Sequence, residues 1–388
     1  MKTANIIFSF VLLFVFVIAL SFPRFNQQNL FGLNKIAGQY DEYNIVRGYH
    51  LSGDAVDYLL CVKYYRGETD RGKLNTPFVY RFLVPYLASL LPVNDALTSL
   101  NVMNIILFLC SIVLFYFTLK ALNFSKSFSV IGCYMLGISF FTFYYLTMGL
   151  IESGFIFFYV VGLYSIFKRN DFLFLIALTL GALAKEFTLI LIPTYFIYNY
   201  IFKQYKPNKL IFYSAIFILP LTAIAIVRIQ FNDLPSYIWT PAFDLFFTNL
   251  FRTRAYIAPL LVLGIPGLIS IMFVYLYFVK KYKMEYDINL SVTEQYNYQK
   301  FFVAIFFFSM FLWVYGFMSA VADGRSFMPS FITSIFITLM VAKYLYTRYQ
   351  LRDLTIENNP ILIPVSKEVI KENTHFIITE IEKPPIRK

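Results

Sequence analysis

Ten mostly apolar runs, at residues 5–22, 97–119, 128–147, 150–167, 172–184, 187–202, 210–231, 257–279, 301–320 and 327–346, constrain this chain more than anything else in it. Crossing roughly 30 Å of hydrocarbon takes about 20 helical residues, and lipid leaves no water to satisfy an open strand edge. The expectation is an all-α polytopic membrane protein with about ten transmembrane helices. With 59% of its 388 residues hydrophobic and only 14% charged, the chain has a composition no soluble domain carries. The first run follows a single lysine and ends in a poor cleavage site at Ala19-Leu20-Ser21, so it reads as an uncleaved helix with a cytoplasmic N-terminus rather than a signal peptide.

The net charge of +11 does not point to nucleic acid, because the basic residues fall in short loops beside apolar runs. There they set orientation and meet lipid phosphate. With the N-terminus inside, the cytoplasmic connections hold Lys120 and Lys126, Lys168 and Arg169, Lys203, Lys206 and Lys209, and Lys280, Lys281, Lys283 and Lys300. The external connections carry scattered charges: Glu152, Lys185 with Glu186, Arg252 with Arg254, and Asp323 with Arg325. Cys61, Cys110 and Cys133 fit no metal spacing, and His50 and His375 are far apart. The expected organisation is a membrane module over 1–346, with a first external loop at 23–96, and a poorly ordered cytoplasmic tail over 347–388 bearing four prolines.

Within the first external loop, the stretch 51–92 puts Asp54, Asp57 and Arg81 beside the membrane, where charge is costly. Residues 54–65 read as a short helix with Asp54 and Asp57 on one face. Residues 77–92 are too short to span and contain Pro85 four residues after Arg81, which predicts an interfacial helix kinked at the arginine. Counting this segment as a span would reverse every later loop and break the positive-inside pattern. The short runs around Lys185 and Glu186 suit helices that stop below the surface and leave that pair in a recess. The loop at 232–256, with Trp239 and two prolines, reads as lying on the interface as a lid or a second acceptor surface.

Each charge has a plain structural alternative. Asp54 can cap a helix, Arg81 can snorkel to headgroups, Glu152 can favour a helix N-terminus, Lys185-Glu186 can pair with itself, and Asp323-Gly324-Arg325 can close a turn. Their common side is what points to function. Three cations (Arg81, Lys185, Arg325) and three acids (Asp54, Asp57, Glu152) at one face can hold a lipid phosphate and activate a hydroxyl. Transfer of a sugar from a lipid phosphate needs one base and positive charge where the phosphate departs. There is no Asp-x-Asp, and Asp54 with Asp57 makes a weak metal pair, so no cofactor is expected and a divalent metal is the lesser alternative.

The sequences Gly53-Asp54-Ala55-Val56-Asp57-Tyr58, 77–85 (PFVYRFLVP), Leu183-Ala184-Lys185-Glu186 and Gly324-Arg325 together resemble the GT-C superfamily of integral-membrane glycosyltransferases. The resemblance covers about residues 5–346. It implies an inverting transfer from a polyprenyl-phosphate sugar to a glycan, lipid or protein hydroxyl at the extracytoplasmic face. It also implies Asp54 as base and Lys185 and Arg325 as phosphate ligands, while the placement of Asp57, Tyr80, Arg81, Glu152 and Glu186 beside the membrane makes them the further substrate-binding candidates. The chain lacks the Asp-Glu pair common in such a loop and has no soluble C-terminal domain. A transporter or flippase of lipid-linked sugars and a polysaccharide polymerase are the competing readings.

Overall fold

A computed structural model describes residues 3–30, 53–235, 243–281, 283–287, 290–318 and 324–357. Fourteen α-helices form there: α1 Thr3–Leu30, α2 Gly53–Tyr65, α3 Leu83–Ser89, α4 Ala96–Ala121, α5 Lys126–Gly137, α6 Phe140–Tyr144, α7 Glu152–Lys168, α8 Asp171–Ala184, α9 Leu191–Ile201, α10 Leu210–Gln230, α11 Phe243–Leu250, α12 Arg254–Val279, α13 Val292–Phe317 and α14 Met328–Glu357. No strand occurs among the described residues. The chain divides into two units, 1–344 and 345–388. Helix α14 runs on to Glu357, ten residues past the expected start of the tail, and the tail's remaining residues, 358–388, lie outside the described ones. Asp323, His50, and Trp239 with its proline neighbour in the expected lid also lie outside.

Each of the ten apolar runs carries helix, and among the described residues seven segments are long and apolar enough to cross a bilayer: Thr3–Pro23, Ala96–Ala121, Lys126–Tyr144, Pro207–Gln230, Ala255–Val279, Val292–Val314 and Gly324–Tyr349. The protein is therefore a polytopic helical membrane protein. The other three, α7, α8 and α9, have 17, 14 and 11 residues. At 1.5 Å per residue they extend only about 26, 21 and 17 Å.

Helix α7 is buried almost all round, as expected of a helix with no polar face. Its neighbours approach closely through glycines: a Cβ on Gly154 would meet Val84, one on Gly162 would meet Leu191, and one on Gly181 of α8 would meet Thr188 and lie 2.8 Å from the Phe158 Cβ. The α7–α8 turn is tight because Arg169 takes a left-handed conformation (φ 56°) and the Asn170 side chain accepts a hydrogen bond from the Leu173 amide. Helix α4 starts where Asp95 caps the Thr98 amide at 2.6 Å. Helix α12 is broken at Gly264 (φ 53°, ψ −154°) between Pro259 and Pro266, where a proline ring and its missing N–H forbid a regular turn.

The segment 77–92 is not one kinked interfacial helix. A 3-10 turn at Phe78–Tyr80 ends at Arg81 (φ −93°, ψ 49°), and α3 starts afresh at Leu83. Pro85 then stands in the first turn of α3, where its absent N–H has no helical partner to lose. Val79, Val84 and Ala88 are fully buried, so this piece is packed into the bundle.

Replacing Gly181 by alanine is expected to cost roughly 1–3 kcal/mol through overpacking, lowering the thermal midpoint of the purified protein. Gly72→Ala, where nothing lies within 4 Å of the added Cβ, is expected to leave that midpoint in place.

Candidate functional site

Helix α2 supplies two side chains four residues apart, Asp54 and Tyr58, which the helical period sets one above the other. Asp54 Oδ2 accepts a hydrogen bond from Arg325 Nη1 at 2.9 Å. The same nitrogen lies 3.5 Å from Glu152 Oε1, and that oxygen accepts from Lys185 Nζ at 2.6 Å. Next along the chain, Glu186 Oε2 accepts from Arg81 Nε at 2.8 Å, and Arg81 Nη1 donates to Tyr58 Oη at 2.9 Å. Tyr58 returns to Asp54 through the helix. Seven side chains from five parts of the chain thus close a ring holding three cations and three carboxylates.

Local structure explains how each member is held. Glu152 opens α7 directly after a bend at Gly149 (φ 75°). Two asparagines three apart on α4 fix that bend: Asn101 Oδ1 accepts from the Gly149 amide at 2.9 Å, and Asn104 Nδ2 donates to the Leu150 carbonyl at 2.5 Å. Lys185 ends α8 in an extended conformation (φ −165°, ψ 130°), and its ammonium also lies 4.8 Å from the centre of the Phe187 ring. Arg325 sits in the 3-10 turn Gly324–Phe327, whose glycine packs on α12 so tightly that a Cβ would stand 2.8 Å from the Ala258 carbonyl oxygen.

Several structural alternatives from the sequence are replaced by these contacts. Lys185 and Glu186 do not pair with each other, because the extended backbone at Lys185 sends them to different partners. Glu152 is not an unpaired terminal acid: only 2% of its side chain is exposed, and two cations reach one of its oxygens. Arg81 does not snorkel outward; its side chain is 20% exposed and its guanidinium turns in to Glu186 and Tyr58. Asp57 is buried and accepts a hydrogen bond from Asn75 Nδ2 at 2.8 Å. Tyr80 stands outside the ring under the Arg228 guanidinium, 5.4 Å from its ring centre. Sequence reasoning missed Tyr58 and Asn75. The spacing of Tyr58 from Asp54 was the available signal for the first, and nothing local marked the second.

Depth divides the ring. Glu152 and Lys185 are sealed at 2% and 6% side-chain exposure, whereas Asp54, at 32%, is the most accessible carboxylate. Burial alone would raise the Glu186 carboxyl, but the Arg81 guanidinium, a backbone hydrogen bond and the Lys185 charge together outweigh it and hold the group below the usual carboxylate range. Burial pushes the Lys185 ammonium down, and Glu152 offsets only part of that. Among the described residues no group of three or more His, Cys, Asp or Glu side chains could hold a metal ion.

The ring gathers the first residues of α7, the last of α8 and the turn before α14, so it lies at one end of the bundle. The basic connections 168–169 and 203–209, and the residues 280–281 after α12, lie at the other end. No family model, curated protein or solved structure matches this chain.

Breaking the buried pair with Lys185→Met should destabilise the protein by roughly 3 kcal/mol, since it strips one cation from a sealed carboxylate. Adding Glu152→Met is expected to cost less than the sum of the two single changes, measured as a double-mutant cycle on thermal midpoints. Because Glu186 is held low in the folded state, its contribution is complete above the ordinary carboxylate range and disappears as pH falls through the folded value. The midpoint gap between wild type and Glu186→Gln should therefore shrink on going from about pH 6 to about pH 3.

Proposed function

We propose that this protein is a membrane glycosyltransferase of GT-C type that moves a sugar from a polyprenyl-phosphate carrier to an acceptor hydroxyl, with inversion, at the extracytoplasmic face. The proposal takes the ten apolar runs as ten crossings with both termini cytoplasmic. The observation that carries it is the pairing of Asp54, the most exposed acid of the ring, with Arg325, a guanidinium that also touches Glu152.

The chemistry follows from charge. Asp54 accepts the proton of the acceptor hydroxyl as its oxygen attacks the anomeric carbon, and the bond from that carbon to the phosphate oxygen breaks with its electron pair leaving on the phosphate. The donor phosphodiester carries one negative charge and the departing monoester two. Protonation of Asp54 removes one negative charge from the ring at the same moment. Arg325, released from a neutralised partner, can then face the new phosphate charge without a carboxylate competing for it. Glu152 and Lys185 stay sealed and keep Arg325 in place. Phosphate is a good leaving group, so one base suffices where glycosidases use a pair.

A transporter of lipid-linked sugars finds support in the break of α12 at Gly264, because broken helices line transport sites. Residues 257–279 contain no charged side chain to seat an anionic substrate. The charges lie at helix ends, which favours the enzyme.

Incubated with radiolabelled polyprenyl-phosphate sugars and cell-envelope acceptors, the wild type is expected to transfer label, and Asp54→Asn to lose about 100-fold or more of that turnover while still binding the lipid donor. Full activity in Asp54→Asn would remove the base and, with it, the mechanism.

A further inference from the structure

We propose that Arg228 is an outer seat for the phosphate of a long-chain polyprenyl phosphate whose tail lies along the exposed face of α10. The lipid class rests on the sugar-transfer reading above; the seat itself rests on the following observations.

Within the ring each cation already faces a carboxylate, so an anion entering there must displace one. Arg228 is different. It occupies the last turn of α10 with its side chain exposed, and among the described residues no carboxylate lies within 4.0 Å of it. Its guanidinium carbon stands 5.4 Å from the centre of the Tyr80 ring. A guanidinium that rests one face on an aromatic ring keeps its planar N–H edge available, and that edge matches two phosphate oxygens. Tyr80 directly precedes Arg81, a member of the ring, so the seat lies at the rim of the candidate site.

Two features show that this is a held position rather than a wandering surface charge. The first loop is clamped to the end of α10: Arg71 Nη2 donates to the Gln230 carbonyl at 2.6 Å and to Asp233 Oδ1 at 2.5 Å, and the Thr76 amide donates to the Pro235 carbonyl at 2.9 Å. That clamp fixes Tyr80 beneath Arg228. The second is the face that leads to it. Leu221 and Phe217, two and three turns back on the same side of α10, are 51% and 45% exposed. One cation at the end of an apolar strip is the complement of one phosphate at the end of an apolar chain.

The test uses the full-length protein in detergent, with a polyprenyl monophosphate as probe. The polyprenyl alcohol of equal length, inorganic phosphate and phosphatidylglycerol serve as comparators, and the variants are Arg228→Ala and Arg228→Lys. The expected result is about a tenfold loss of polyprenyl monophosphate affinity in Arg228→Ala and a smaller loss in Arg228→Lys, whose point charge cannot make the two-oxygen contact. Binding of the alcohol should not change, nor should the thermal midpoint. Equal affinity in Arg228→Ala overturns the seat. So does a wild type that does not distinguish the phosphate from the alcohol. A parallel loss of phosphatidylglycerol binding, or displacement of the probe by inorganic phosphate, would reduce Arg228 to a headgroup anchor or a free-phosphate site and also overturns it. The two readings fail separately. Sugar transfer with an unchanged donor KM in Arg228→Ala removes the seat alone, whereas Arg228-dependent lipid binding without transfer from any donor removes the transferase.

Discussion

A carboxylate sealed inside a membrane bundle can stay charged only if cations come to it, and Glu152 is the most deeply sealed carboxylate of the ring. Lys185 and Arg325 both reach its Oε1, and its Oε2 accepts from the Ile151 amide. Removing a charge from water is expensive, so such a group persists only where its partners are held in place by the rest of the fold. Much of the architecture can be understood as the means of holding them. The asparagines of α4 set the bend before α7, the early end of α8 delivers Lys185, and the close contact of Gly324 with α12 delivers Arg325.

The far end of the bundle uses polar contacts for a different purpose. Gln295 and Gln299 of α13 bind the backbone of the preceding connection at Met284, Tyr286 and Asp287, while Lys343 pairs with Asp287 and Lys209 with Asp171. Each of these contacts ties a basic connection to a neighbouring helix. They fasten loops, whereas the ring fastens helices to one another through charge and leaves one acid, Asp54, partly exposed. A network balanced in charge is rigid while intact and responds sharply when one member gains a proton. The proposed transfer, in which negative charge grows on a leaving phosphate, would draw on that property.

The short helices matter for the same reason. Helices α8 and α9 fall well below the thickness of a bilayer core, and at their junction the Lys185 side chain is 6% and that of Glu186 20% exposed. The expectation of a recess at this junction came from run length alone. Which carboxylate meets which cation inside it did not.

What the sequence determined by itself was the class of the molecule and the cast of charged residues. Apolar runs cannot form anything but helices in lipid, and charges are rare enough there that each one stands out. It also showed that 77–92 is not a span, though not that Pro85 would open a new helix instead of bending an old one, since a proline's effect depends on where the helix starts. Tertiary structure decided the pairings. Asp54 and Arg325 are separated by 271 positions, so no local pattern could join them. Lys185 and Glu186 are adjacent in sequence yet bind different partners, because one extended residue turns their side chains apart. Helix formation is a local property, legible in hydrophobic period and length; ion pairing in a bundle depends on which helix ends meet, and only packing settles that.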